Sequence, residues 1–106
     1  MRKFVPDDLS LGALYFYLGE TLLYSSRFEE ANQSFDDCFS THWVDTAHNR
    51  FLATFAKAKA LQALQAYPES IEFFTKALEM KPQNPYCHFR RAWSYKVRNQ
   101  LSEIDP

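Results

Sequence analysis

Apolar residues recur along most of this chain with the three- and four-residue spacing of one helix face. The first such segment runs from about Asp8 to Ser25 and carries Leu11, Leu14, Tyr15, Leu18 and Leu22 on its face. No segment shows the alternation of valine, isoleucine or threonine that is typical of a half-buried strand, and only two glycines are present. The pattern predicts an all-α protein.

Polar residues divide the first half of the pattern into three helices. Ser26 and Glu29 have the spacing of a capping box, which predicts a short turn and then a second helix ending near Ser40. The second helix carries apolar residues on one stripe. A third helix is predicted to begin within the loosely patterned residues 40–49 and to end near Ala66.

Prolines mark the later helix starts. Pro68 fits the first turn of a fourth helix, where a missing N–H group costs nothing. Asn84 is predicted to cap a fifth helix that opens with Pro85 and reaches about Arg98. The remaining residues, 99–106, are predicted to be the first turn of a truncated sixth helix.

The helix pairs repeat along the chain. Aligning Phe35 with Phe74 places Gly19 opposite Ala58, and Ala92 follows in the same place of a third unit. The first spacing is 39 residues and the second 34, because about five extra residues lie near 41–45. Small side chains in these three places indicate sites where the second helix of each pair packs closely against the first.

The repeated unit resembles the tetratricopeptide repeat (TPR), a 34-residue helix–turn–helix with the pattern W-x2-L-G-x2-Y…A-x3-F…P. The ending KALEMKPQNP of the second unit is typical of this family. The second unit departs from the pattern at Thr54 and Lys57, and the third at His88 and Arg91. The first unit matches it with Tyr15, Leu18, Gly19, Leu22, Ala31 and Phe35.

The resemblance implies a single TPR domain over residues 1–106. Its repeats would span about 12–45 and 51–84, with a partial third repeat over about 85–106. The fold expected from the family is a short solenoid of antiparallel helix pairs, with five helices and a truncated sixth.

Acidic residues concentrate in the second helix without indicating chemistry. Four carboxylates lie more than about 90° from its apolar stripe, and therefore point to water, where a carboxyl group has no reason to act as a general acid. They are Glu29, Glu30, Asp36 and Asp37. No phosphate-binding loop or nucleophile motif is present in the sequence. We expect neither an enzyme nor a cofactor.

A metal site is not expected either. Cys38, His42, Asp45 and His48 are the only mixed ligands close in sequence, but Cys38 takes the small core position matched by Ala77. Two cysteines are too few for a disulfide framework, and no apolar stretch is long enough to span a membrane. These features predict an intracellular, cytoplasmic protein with free thiols.

Function is therefore expected at a surface. In a TPR stack, the first helices of successive pairs line a concave groove, and the resemblance carries this role to residues of this chain. Gln62 belongs to the wider set of groove-facing positions. The partner-binding residues expected are Phe16, Tyr17, Glu20, Phe55, Lys59, Tyr86, Phe89, Arg90, Trp93 and Lys96. For Phe16, Phe55 and Phe89, packing in the core is an equal alternative.

The partner expected is a protein or peptide of acidic or aromatic character. Arg90 and Trp93 are the strongest contact residues, because arginine and tryptophan are enriched at interaction hot spots. Some TPR proteins bind the acidic tails of heat-shock chaperones through a carboxylate clamp. This chain matches that clamp at Arg90 alone, so we do not expect that activity.

Two alternatives remain open. Residues 81–98 carry five basic residues and no acidic one, interleaved with aromatic rings, which is compatible with a nucleic-acid surface. Alternatively, the fifth helix lacks the second helix of its pair, so that the face bearing Ala92 and Tyr95 is open. Such a face would belong to a fragment of a longer TPR array or would pair with another chain.

Overall fold

The computed structural model describes residues 7–104, the last two by their backbone. This part of the chain forms five α-helices and one 3-10 helix, and it contains no strand. The elements are α1 (Asp8–Tyr24), α2 (Phe28–Phe39), the 3-10 helix (His42–Asp45), α3 (Ala47–Ala63), α4 (Tyr67–Met80) and α5 (Pro85–Ile104). The all-α prediction is confirmed.

The predicted starts of the later helices are confirmed in their capping contacts. The N–H group of Cys87 donates to Oδ1 of Asn84 over 3.0 Å, directly before α5. Pro68 lies in the first turn of α4. The start of α3 is set by Thr46, whose hydroxyl accepts from the N–H group of Asn49.

The predicted capping box at Ser26 is wrong. Ser26 has a φ of 60° and ends α1 in the left-handed conformation, as Gln65 does after α3 with a φ of 64°. The N-cap of α2 is Arg27, which makes no side-chain capping bond. Its guanidinium instead donates to Glu30 over 2.9 Å. Ser26 reverses the chain and lies one position before the N-cap, so its side chain does not cap α2.

The predicted truncated sixth helix is also wrong. The fifth helix does not end near Arg98 but continues through Ile104. Asn99 occupies the place equivalent to Ser26 and Gln65, yet it stays helical. No glycine or proline interrupts residues 86–104, and among the described residues no packed second helix requires a reversal there. Residues 105 and 106 lie outside the described part of the chain.

Both glycines of α1 make close contacts, as was predicted for Gly19. A Cβ atom added at Gly19 would overlap the ring of Phe35, and one added at Gly12 would overlap Thr41 and Trp43. The later residue of α1 therefore meets α2 itself, whereas the earlier one meets residues that follow α2, which makes the two helices antiparallel. Phe35 and its counterpart Phe74 are both fully buried. Each anchors its own helix pair.

Polar side-chain contacts at equivalent positions join the first helix pair to the second and the second pair to the fifth helix. Lys57 on α3 forms a salt bridge with Asp36 on α2. At the equivalent positions, Arg91 on α5 donates to the hydroxyl of Thr75 on α4 over 3.2 Å. These bridges explain why a long cation stands where the TPR pattern has leucine. They also correct the prediction that Asp36 only faces water, whereas Glu29 and Glu30 are exposed as expected.

The elements contact their neighbours in the order of the chain. Within the described residues, α1 contacts α2, the 3-10 helix and α3, but neither α4 nor α5. The radius of gyration is 15.4 Å, compared with about 13 Å for a compact domain of this length. The longest dimension of the molecule is 64 Å. The result is an elongated row of helices.

Candidate functional site

A hollow lies beside the first half of α5, where α3 approaches it. It has a volume of about 710 Å³ and is lined by Gln62, Pro85, Tyr86, Phe89, Arg90 and Trp93. The three aromatic side chains are 70%, 72% and 50% exposed in that order. Large rings exposed together around one cation are a typical feature of interaction surfaces.

Arg90 is held in this hollow by Gln62 of α3. The amide nitrogen of Gln62 donates to the carbonyl oxygen of Arg90 over 2.8 Å, and Nη1 of Arg90 donates to Oε1 of Gln62 over 3.1 Å. No acceptor in the described part of the chain bonds Nε or Nη2 of Arg90. The guanidinium therefore keeps donors for a carboxylate while its position is restrained.

Two buried serines support Gln62 in turn. The Gln62 amide nitrogen also donates to Oγ of Ser94 on α5 over 2.8 Å. The hydroxyl groups of Ser94 and Ser70, the latter on α4, lie 2.8 Å apart, and both residues are fully buried. The network thus links α3, α4 and α5 behind the hollow. Buried polar networks of this kind restrict a structure to one arrangement when each member is satisfied.

Lys96 adjoins the hollow. Its ammonium group lies 5.8 Å from the centre of the Trp93 ring, within the range of a cation–π interaction. Tyr86, Phe89, Arg90 and Trp93 therefore lie around one hollow with Lys96 beside it, and their role in binding a partner stays a prediction. A carboxylate beside Trp93 would meet two positive charges.

Glu20 and Lys59, also predicted at the groove, are engaged with each other. Their charged atoms are 3.9 Å apart and their side chains are only 24% and 20% exposed. The same ammonium group lies 4.9 Å from the centre of the Phe55 ring. These residues connect α1 with α3, some distance along the chain from the hollow at Arg90.

Phe16 is in the core, which corrects its prediction as a groove residue. It is 8% exposed, and its ring packs against Trp43 at 5.2 Å between centroids. Phe55 is half-buried and packs on Phe74 at 5.9 Å. Tyr17 is exposed and meets Phe16 edge-on. For Phe16 and Phe55, packing in the core was the alternative prediction, and it describes the structure better.

Sequence reasoning did not identify the part that Gln62 and Pro85 play in this hollow. Gln62 was expected to face the groove, but helical spacing contains no information on which side chain on another helix it would bond. The signal that was available is the stripe of Tyr86, Arg90 and Trp93 on one face of α5, separate from the face packed on α4.

The cysteine and histidine set is dispersed. Cys38 is fully buried, and burial raises the pKa of its thiol to about 11. Nδ1 of His42 lies 2.9 Å from Oδ2 of Asp45, and this hydrogen bond raises the pKa of the exposed imidazole. In residues 7–104, no group of three or more potential ligands is placed to hold a metal ion.

None of the helices described is both long and apolar enough to cross a membrane.

Comparison with known proteins gives one informative similarity. No family model matches the chain, and no solved structure matches it significantly. The chain is 33% identical over 85 residues to sperm-associated antigen 1 of Rattus norvegicus, a protein that contains tetratricopeptide repeats. The alignment covers 80% of this chain but only 9% of that protein. This similarity and the all-helical fold are compatible with the TPR family.

Proposed function

We propose that this chain is a non-catalytic interaction module that binds a peptide segment of a partner protein. In this proposal its helices form a short TPR solenoid, and the hollow at Arg90 is one end of the concave groove. The similarity to a TPR-containing protein supports a role in protein interaction. The observation that carries the proposal is the restrained Arg90 among three exposed aromatic rings.

The chemistry of the hollow favours a peptide with an acidic residue next to an apolar or aromatic one. A planar guanidinium with free donors pairs with a carboxylate through two parallel hydrogen bonds. Tyr86, Phe89 and Trp93 offer apolar area beside it, so that binding would remove water from the ion pair and strengthen it. Because Gln62 already holds Arg90, little side-chain entropy is lost on binding.

Two cations of the basic segment are engaged within the protein. Arg91 bonds Thr75, and Arg98 lies over the Tyr95 ring at 5.0 Å. This arrangement favours a protein partner over a nucleic acid, which would need a row of free cations for its phosphates.

The test begins with peptides selected from a random-sequence display library on the immobilised chain. Selected peptides are expected to be enriched in aspartate or glutamate and in aromatic residues. Fluorescence anisotropy with one such labelled peptide should show affinity at least about tenfold weaker for Arg90→Ala and for Trp93→Ala, since both are central contacts.

The matched controls are exposed residues of the same types elsewhere. Arg27→Ala removes an arginine that is paired with Glu30 near the first turn, and Tyr24→Ala removes an exposed ring from α1. Both should bind the peptide as the parent chain does. Full binding by both groove variants, with helicity unchanged in circular dichroism, would show that the hollow is not the binding site.

A further inference from the structure

We infer that the outward face of α5 around Ala92 is a second docking surface, and that its occupant is an acidic amphipathic helix with a small residue and a phenylalanine four positions apart. This surface is distinct from the hollow at Arg90. At 100° per residue, Arg90 lies about 160° around the helix from Ala92 and Trp93 about 100°.

The molecule itself shows how such a face is covered. Gly19 of α1 receives the ring of Phe35 from α2, whose small residue Ala31 is fully buried. At the equivalent positions of the second pair, Ala58, Ser70 and Phe74 are all fully buried. The same spacing, small-x3-Phe, is thus buried together with the small position in both complete pairs.

Within residues 7–104, the third small position has no such cover. Ala92 is exposed, whereas Gly19 and Ala58 are buried. Tyr95 is 39% exposed beside it, and Asn99 one turn further on is exposed as well. The opposite side of α5 is packed on α4 through fully buried residues such as Ser94. Among the described residues, Ala92 therefore lacks the phenylalanine ring that covers Gly19.

Charge selects the kind of helix. Two basic residues lie near the open face: Lys96 is about 40° around the helix from Ala92, and the Arg98 guanidinium lies over the ring of Tyr95. A helix with carboxylates beside its apolar stripe complements this charge, as α2 illustrates with four of them around its Ala31 and Phe35. A second intact copy does not meet the requirement, because Phe35 and Phe74 are fully buried within its own pairs.

The probe is a synthetic peptide with the sequence of residues 26–40, with Cys38→Ala and a lactam bridge between Glu29 and Gln33→Lys. The bridge joins two exposed positions and holds a peptide that would otherwise be marginally helical. Titrated into the full, isotope-labelled chain, it should shift the amide signals of Ala92, Tyr95 and Asn99. The same peptide with Phe35→Ala should bind at least about tenfold more weakly.

Protein variants complete the test. Ala92→Leu fills the site and should abolish peptide binding, while Ala47→Leu, which adds the same atoms at an exposed position of α3, should leave it intact. Arg90→Ala should also leave it intact, which separates this surface from the hollow.

Three results would overturn the proposal. They are equal binding of the Phe35→Ala peptide, no binding at millimolar peptide, and signal shifts at Gly19 instead of Ala92. The last would mean that the probe exchanges with the chain's own α2. Concentration-dependent dimerisation that Ala92→Leu abolishes, without peptide binding, would assign the face to a second copy instead.

Discussion

At the scale of single residues, burial decides the chemistry of a side chain, and Cys38 is an example. The thiol packs in the core shared by α1, α2 and α3, where a thiolate would lose its hydration without gaining a partner. Its raised pKa follows from this burial. Cys87 is buried as well, and the loss of hydration on burial is the main cause that raises the pKa of its thiol.

Stability should consequently decline in alkaline solution. An unfolded thiol has a pKa of about 9.0, and the folded Cys38 thiol about 11, so the native state retains a proton that the unfolded state releases. The contribution is complete below pH 9 and is lost as the pH rises toward 11. Urea titrations at pH 7, 9 and 10 should show a smaller loss of unfolding free energy for Cys38→Ala than for the parent. An identical pH dependence of the unfolding free energy in the parent and in Cys38→Ala would contradict this prediction.

Between elements, polar bridges fix how helices meet. The Lys57 and Arg91 bridges repeat at equivalent positions, and Gln62 adds a third connection, from α3 to α5. Large apolar contacts hold each pair together but tolerate some sliding, whereas a hydrogen bond of defined geometry does not. The position of Arg90 therefore depends on a residue of another helix.

Gln62→Ala should weaken binding of an acidic peptide several-fold while leaving the helix content unchanged. The reason is that Arg90 loses the acceptor that restrains it, and Ser94 loses a buried partner. Peptide anisotropy and circular dichroism measure the two effects. Gln33→Ala, which removes an exposed glutamine bonded to Asp37, is the control and should bind normally. Unchanged affinity for Gln62→Ala would mean that Arg90 needs no support.

At the scale of the whole molecule, the helices contact mainly those next to them in the chain. We therefore expect that stability is distributed unevenly along the molecule. Since α1 contacts neither α4 nor α5 within residues 7–104, a disturbance at one end has no direct route to the other. Rows of helices of this kind open in segments rather than as one unit. Within the described residues, α5 is held along its length mainly by α4, with a small contribution from α3.

Ser94→Leu should release α5 while the first pair stays folded. A leucine does not fit a fully buried serine position and breaks the network with Gln62 and Ser70. Hydrogen exchange should rise by about an order of magnitude or more in residues 85–102 and remain unchanged in α1 and α2. Gln100→Leu, at an exposed position of α5, should have neither effect. Equal loss of protection in every helix would indicate one cooperative unit instead.

Most local features of this fold could be predicted from the sequence because they depend on neighbours along the chain, although the capping box predicted at Ser26 is wrong. Helical periodicity, Pro68 and the Asn84 cap act within a few residues, and the spacing of Gly19 and Phe35 describes one helix pair. The stripe of Tyr86, Arg90 and Trp93 belongs to a single helix. These are properties that a linear pattern contains.

Only the tertiary structure decided what depends on residues far apart in the chain. Phe16 is a core residue because Trp43 and Phe35 surround it, and Arg90 is restrained because Gln62 lies 28 residues earlier on an adjacent helix. The length of α5 was also decided in this way. Asn99 can reverse a chain, but no helix among the described residues packs on Ala92, and there continuing the helix satisfies more backbone hydrogen bonds than turning does.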